Sequence, residues 1–171
     1  MRSKIYWIDL PAGARFAIMP RPRAGDWLDG EIAGWRGEGI DVIVSLLEAE
    51  EVEELGLRRE PDLCHDAGME FICFPFPDRG VPAAMREATA LAAGIVARLN
   101  DGKGVALHCR AGIGRSALMA ASDLVLLGLT PAASFNLIGA ARGLKVPDTE
   151  GQRDWVERFS EAMTTDGIHP A

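Results

Sequence analysis

The chain has 171 residues, 48% of them hydrophobic and 25% charged, with a net charge of −7. That is apolar material enough for one domain with a real core, which excludes extended disorder, and the acidic balance argues against a nucleic-acid partner because a phosphate backbone repels such a field. No apolar run reaches the roughly 18 to 20 residues of a membrane span, and Asp9 and Pro11 end any apolar core behind the Met1–Lys4 start, so neither a signal peptide nor a membrane association is expected.

In chain order, Ile5–Ile8 and Phe16–Met19 read as paired strands turning through Pro11-Ala12-Gly13. Trp27, Leu28, Ile32 and Trp35 recur at helical spacing. Asp41–Leu46 is a β-branched run of buried-strand type, followed by a short acidic helix, Glu48–Leu55, that Gly56 ends. Glu70–Phe74 reads as a further buried strand, and Met85 to Leu99 as an apolar helical stripe closed by Asn100-Asp101-Gly102. Gly104–His108 is a third buried strand. A helix from Ala117 to Leu127 stops at Gly128, and helical patterns over Pro131–Arg142 and Thr149–Met163 complete the chain before a tail expected to fray after Thr165. Alternating strands and helices, with near-continuous apolar strands, predict one α/β domain around a mostly parallel sheet.

Three cysteines, Cys64, Cys73 and Cys109, are too few and too unevenly spaced for a disulfide framework or a four-ligand zinc site, which points to a reducing cytoplasm. Cys64 and Cys73 read as core thiols, with a resolving role toward an oxidised Cys109 as the minor alternative.

Cys109 stands in a motif. Between the Gly104–His108 strand and the next helix runs His108-Cys109-Arg110-Ala111-Gly112-Ile113-Gly114-Arg115-Ser116. Multiplying the chain's own residue frequencies, such a spacing arises by accident about 3 times in 100,000. Its chemistry is anion binding. Arg110 to Gly114 turn tightly with the help of two glycines, so that backbone N–H groups and the following helix N-terminus form a nest for a phosphate dianion. Arg115 adds a planar fork able to hold two phosphate oxygens, and the same positive field favours a Cys109 thiolate. A buried structural thiol at Cys109 would leave Arg115 and both glycines unexplained.

This segment resembles the active-site loop of the cysteine-dependent protein phosphatases, and the short chain is similar to their dual-specificity branch. The resemblance covers most of the chain from about Asp41 onward; with no internal repeat and no linker long enough to split domains, residues 1–171 read as one domain, with strands and a helix in 1–40 ahead of a catalytic core in 41–165. The resemblance implies a four- or five-stranded, mostly parallel sheet flanked by helices. It also implies roles: Cys109 as the nucleophile that forms a phosphocysteine, Arg115 as the phosphate-binding arginine, Ser116 as the hydroxyl that stabilises the departing thiolate, and His108 as the residue that orders the loop. The phosphate would rest on Arg110, Ala111, Gly112, Ile113, Gly114 and Arg115. Ala117 departs from the glycine that many relatives carry there, and removes no chemical group.

A leaving alkoxide or phenoxide needs a proton. Asp78, in Phe74-Pro75-Phe76-Pro77-Asp78-Arg79-Gly80, follows a strand whose carboxyl end lies on the same sheet edge as Cys109, although Pro-Asp-x-Gly is also a good plain turn. Asp66 and Asp148 are the next carboxylates in line. Gln152 resembles the glutamine that positions the hydrolytic water in part of the family, yet Thr149-Glu150-Gly151-Gln152 equally reads as a capping box. His65 and His169 read as surface residues without metal-site spacing, Glu48–Glu54 as a solvated helix face, and Trp7, Trp27, Trp35 and Trp155 as core or domain-edge anchors.

The expectation is therefore a cytoplasmic, monomeric phosphatase acting on phosphotyrosine, and on phosphoserine or phosphothreonine, in protein or peptide substrates, with no cofactor and no metal. The alternatives are a phosphoinositide or small-molecule phosphate monoesterase and a catalytically weak phosphate-binding module.

Overall fold

The computed structural model describes residues 2–167, so the His169 reading lies outside the described residues. The elements are β1 (Tyr6–Ile8), β2 (Phe16–Pro20), α1 (Leu28–Gly37), β3 (Val42–Ser45), α2 (Ala49–Glu54), α3 (Glu60–Asp66), β4 (Glu70–Cys73), α4 (Met85–Asn100), β5 (Val105–Cys109), α5 (Arg115–Leu126), α6 (Pro131–Arg142) and α7 (Glu150–Thr165). The five strands form one sheet in the order β1-β2-β5-β3-β4, with β1 antiparallel to β2 and the rest parallel.

Strand alternation builds two cores. Phe16, Ile18, Val42, Val44, Val105 and Leu107 face α4–α7, while Ala17, Met19, Ile43 and Ala106 face the layer containing Leu28, Ile32, Trp35, Leu57 and Cys64. A strand covered on both faces must be apolar at every position, which is why these runs carry no period-two polarity. This is a single α/β domain of the expected class.

The central strand β5 lies between β2 and β3 and delivers Cys109 to the sheet's carboxyl edge, opposite Pro20. The helix that follows is equally central. Every residue of α5 from Arg115 to Val125 is buried.

Two readings need correction. Glu70–Cys73 is not a buried strand: β4 is the sheet edge, and of the two cysteines read as core thiols Cys64 is buried and Cys73 exposed. Trp27 is no core anchor, because its ring is 60% exposed and lies beneath the Arg23 guanidinium at 4.7 Å; Trp35 and Trp155 are buried as expected. α3 has no counterpart among the periodic segments. At seven residues, opened by Pro61, it is too short to show a stripe.

Asp123, in the middle of α5, is completely buried with neither carboxylate oxygen hydrogen-bonded. Burial pushes its carboxyl well above the usual carboxylate range. A carboxyl raised in the folded state binds more protons there than in the unfolded chain. Stability is therefore lost as pH rises above the ordinary Asp value, by up to about 1.4 kcal/mol per pH unit. Asp123→Asn, neutral at every pH, is expected to raise Tm at pH 8, less at pH 5 and hardly at all at pH 4. Thermal melts across that range check this, and parallel curves for the two proteins would refute it.

Candidate active site

The loop after β5 takes its shape from three anchors. Gly112 has φ +69°, and a Cβ there would lie 2.6 Å from the Met19 carbonyl carbon, so left-handed backbone and close approach to β2 both demand glycine. The Arg110 carbonyl accepts the Arg21 N–H at 3.3 Å. Arg142, at the end of α6 and lying over the Tyr6 ring, donates from Nε to the Gly112 carbonyl (3.0 Å) and from Nη2 to the Ala111 carbonyl (3.2 Å). In a trans peptide the N–H opposes the C=O of the same plane, so tying these three carbonyls to β2 and α6 turns the N–H groups of Ala111, Gly112 and Ile113 the other way. That leaves a row of donors leading into the N-terminus of α5.

Cys109 is buried, with Sγ 3.3 Å from the Ser116 Oγ on the first turn of α5. Arg115 is 1% exposed and clamped. Its Nη1 and Nη2 donate to the two Glu51 carboxylate oxygens at 2.7 and 2.9 Å, and Nη1 also reaches the Leu46 and Phe76 carbonyls. Its Nε is buried without a partner among the described residues. The clamp therefore fixes the plane of the guanidinium and leaves Nε, with the rest of Nη2, for an incoming anion.

Glu51 is the residue sequence reasoning missed. Read as part of a solvated acidic face, it is in fact buried. Burial works to raise its carboxyl, but hydrogen bonds from Arg115, the Glu48 N–H and Arg110 bring it down to about 2. The rest of the run behaves as expected: Glu50, Glu53 and Glu54 are exposed. Arg110 is held by Glu51 (3.3 Å) and Glu54 (3.1 Å).

The structure brings Asp78 to this centre. Its Oδ1 lies 3.3 Å from Arg115 Nη2 and accepts the Arg79 N–H at 3.1 Å, while its side chain stays half exposed. The turn reading also holds, since Gly80 donates to the Pro77 carbonyl at 2.8 Å. Gln152 is fully buried and forms the capping box with Thr149, and its Nε2 donates across to the Gly80 carbonyl at 3.0 Å, tethering the Asp78 loop to α7. Asp148 lies against Gly114, whereas Asp66 is exposed beside His65, away from these contacts.

His108 and Glu60 form a second buried pair, Nε2 to Oε1 at 2.7 Å, with His108 one residue before Cys109. No sequence signal announced Glu60.

A family model described as "Polymorphic toxin system, DSP-PTPase phosphatase" matches residues 19–129, two thirds of the chain and the whole loop. The chain belongs to this phosphatase family. Its fold is shared by several solved structures. Kinase associated phosphatase, solved with its catalytic-site cysteine replaced by serine, superposes with TM-score 0.84 at 18% identity, over 96% of this chain and 97% of that one. PTPMT1 gives 0.78 at 20% identity (96% and 98%), and the active form of Tk-PTP 0.74 at 23% (92% and 96%). No curated protein matches the chain.

The Glu51 clamp makes a testable statement. Glu51→Gln, which loses the charge that orients Arg115, is expected to lower kcat/KM on the order of 100-fold, the cost of a misplaced catalytic group. Because the Glu51 carboxyl is depressed in the fold, its stabilisation is full above pH 4.5 and lost as pH falls through about 2. The Tm gap between the two proteins should be widest near neutrality and close on acidification. A gap independent of pH would disprove the ion pair.

Proposed function

We propose that the protein is a phosphoprotein phosphatase working through a cysteinyl-phosphate intermediate. The observation that supports this best is the convergence of Cys109, Arg115, Ser116 and Asp78 from two segments that the fold alone brings together. The substrate phosphate lies in the nest formed by Arg110 to Gly114, with Arg115 Nε and Nη2 on two of its oxygens. The Cys109 thiolate attacks phosphorus and the bond to the leaving oxygen breaks. Asp78, displaced from Arg115 by the arriving anion, gives its proton to that oxygen. In the second step water attacks the phosphocysteine, Asp78 takes the water proton, the S–P bond breaks, and the Ser116 hydroxyl donates to the departing thiolate. Inorganic phosphate leaves. Throughout, the fixed N–H groups and Arg115 meet charge developing on the equatorial oxygens. Gln152, whose Nε2 donates to the Gly80 carbonyl and lies beside Gly114, would position the hydrolytic water.

Protein substrates are favoured over phosphoinositides by the state of Arg110. Both Glu51 and Glu54 hold it, so the loop presents no second free cation for another phosphate. PTPMT1 has been solved in complex with PI(5)P on this same fold, so the comparison must be made directly. The family description names polymorphic toxin systems; on this proposal the substrates are phosphoproteins in the cytoplasm, met by a monomer that needs no cofactor.

A panel of phosphotyrosine, phosphoserine and phosphothreonine peptides, phosphoinositides and aryl phosphates tests the substrate class. Peptides, phosphotyrosine first, are expected to be turned over and phosphoinositides not; the reverse order would overturn the reading. Cys109→Ser should abolish turnover while keeping phosphate binding, and EDTA should leave activity unchanged.

Asp78→Asn is expected to slow tyrosyl and alkyl phosphates by about 100- to 10,000-fold and aryl phosphates with acidic leaving groups far less. Equal losses on both would reduce Asp78 to a turn residue and send the search for the acid to Asp148.

A further inference from the structure

Behind the loop, on the face of the sheet opposite α5, His108 is enclosed. Its ring is fully buried, with Trp35 at 6.2 Å between ring centroids on one side and Glu60 on the other. Its backbone is equally fixed, paired with Ser45 of β3 and Met19 of β2 and accepting the Leu46 N–H at 3.0 Å. Glu60 opens α3 and is 1% exposed, and the nearest polar partner of its Oε1 is His108 Nε2. Its charge bears on two further groups. Burial and the Glu60 carboxylate together push the Cys64 thiol up to about 12 and the Cys73 thiol up as well. A carboxylate placed so deeply costs free energy unless it accepts a hydrogen bond, and a carboxylate can only accept. The proton of the pair therefore sits on Nε2, and Nδ1 is left without a partner.

We propose that Glu60 is a positioning residue for the reaction. By accepting the Nε2 proton it fixes the tautomer and the rotation of the His108 ring, and through the adjoining peptide it fixes where Cys109 Sγ stands against Ser116 and the nest. This deepens the function proposed above and rests on Cys109 as its nucleophile. A histidine free to turn would let the strand end shift, and displacement of the attacking atom by about 1 Å costs on the order of 100-fold in rate. α3 and β3 thus contribute to the site from behind, although neither reaches the phosphate.

The test begins without a mutation. His108 is one of three histidines in the chain, so long-range 1H–15N correlation of the imidazoles reads its protonation site directly. A proton on Nε2 is expected, and an unprotonated Nε2 would overturn the proposal. Two variants then separate hydrogen bonding from mere packing. Glu60→Gln keeps an acceptor for Nε2 and is expected to hold kcat within about 3-fold of the parent protein. Glu60→Leu removes it and is expected to lower kcat by about 10- to 100-fold with KM little changed. The rate of Cys109 alkylation by iodoacetamide, read by mass spectrometry near neutral pH where the raised thiols of Cys64 and Cys73 compete little, should fall in the Leu variant and recover in the Gln variant. Normal kcat and alkylation in Glu60→Leu, or equal losses in both variants, would overturn the proposal. Should Glu60→Leu not fold, the nitrogen spectrum and the Gln variant still decide it. Turnover surviving in Cys109→Ser would instead sink the nucleophile reading, and the His108 spectrum would stand apart from that result.

Discussion

The ion pair between Arg115 and Glu51 organises the centre of this molecule. A guanidinium that is almost wholly buried must be paired, because an isolated charge there would be prohibitively desolvated. Glu51 meets it with both oxygens, and the Leu46 and Phe76 carbonyls take further N–H groups. Three segments are thereby tied to the first residue of α5: the end of β3, the α2 helix and the loop that carries Asp78. On the proposed function, the guanidinium that would meet the phosphate is held in its plane by protein partners, which is the condition for electrostatic stabilisation without reorganisation.

The acidic character of the chain takes on a different meaning in this light. A net charge of −7 is ill suited to a phosphate monoester, yet three of the carboxylates around the loop are turned to protein groups. Glu51 and Glu54 hold Arg115 and Arg110, and Glu60 holds His108. Acidic residues serve here as scaffolding for cationic and imidazole groups, while the positive side of the nest is supplied by backbone N–H groups, a helix terminus and one guanidinium.

Around this centre the carbonyls of Arg110, Ala111 and Gly112 each have a partner. Arg142 and Arg21 take the outward carbonyls, Gly112 allows contact with β2, and Gln152 joins α7 to the acid loop through Gly80. Asp123 stands apart from this economy. It is buried on the same helix without a hydrogen bond, a cost to stability that the loop chemistry does not use.

The sequence alone determined the fold class and the loop. Both are written locally: apolar runs and glycine stops mark the elements, and the spacing from His108 to Ser116 places a cysteine, two glycines and an arginine within one strand-to-helix turn. Asp78 was legible for a related reason, since a residue just past a parallel strand must emerge at the sheet's carboxyl edge. Gln152 was legible as a cap because that too is a contact over three residues. Only the tertiary structure decided the partners of those groups. Glu51 lies in a run of like charges whose other members are solvated, and nothing within its own helix distinguishes it. Glu60 belongs to a helix too short to show a period, and Arg142 meets the loop from the far end of another. The edge position of β4 likewise follows from strand order. Hydrogen bonds that close across many tens of residues leave no periodic trace in a chain, because their geometry exists only once the sheet and its two helical layers have assembled.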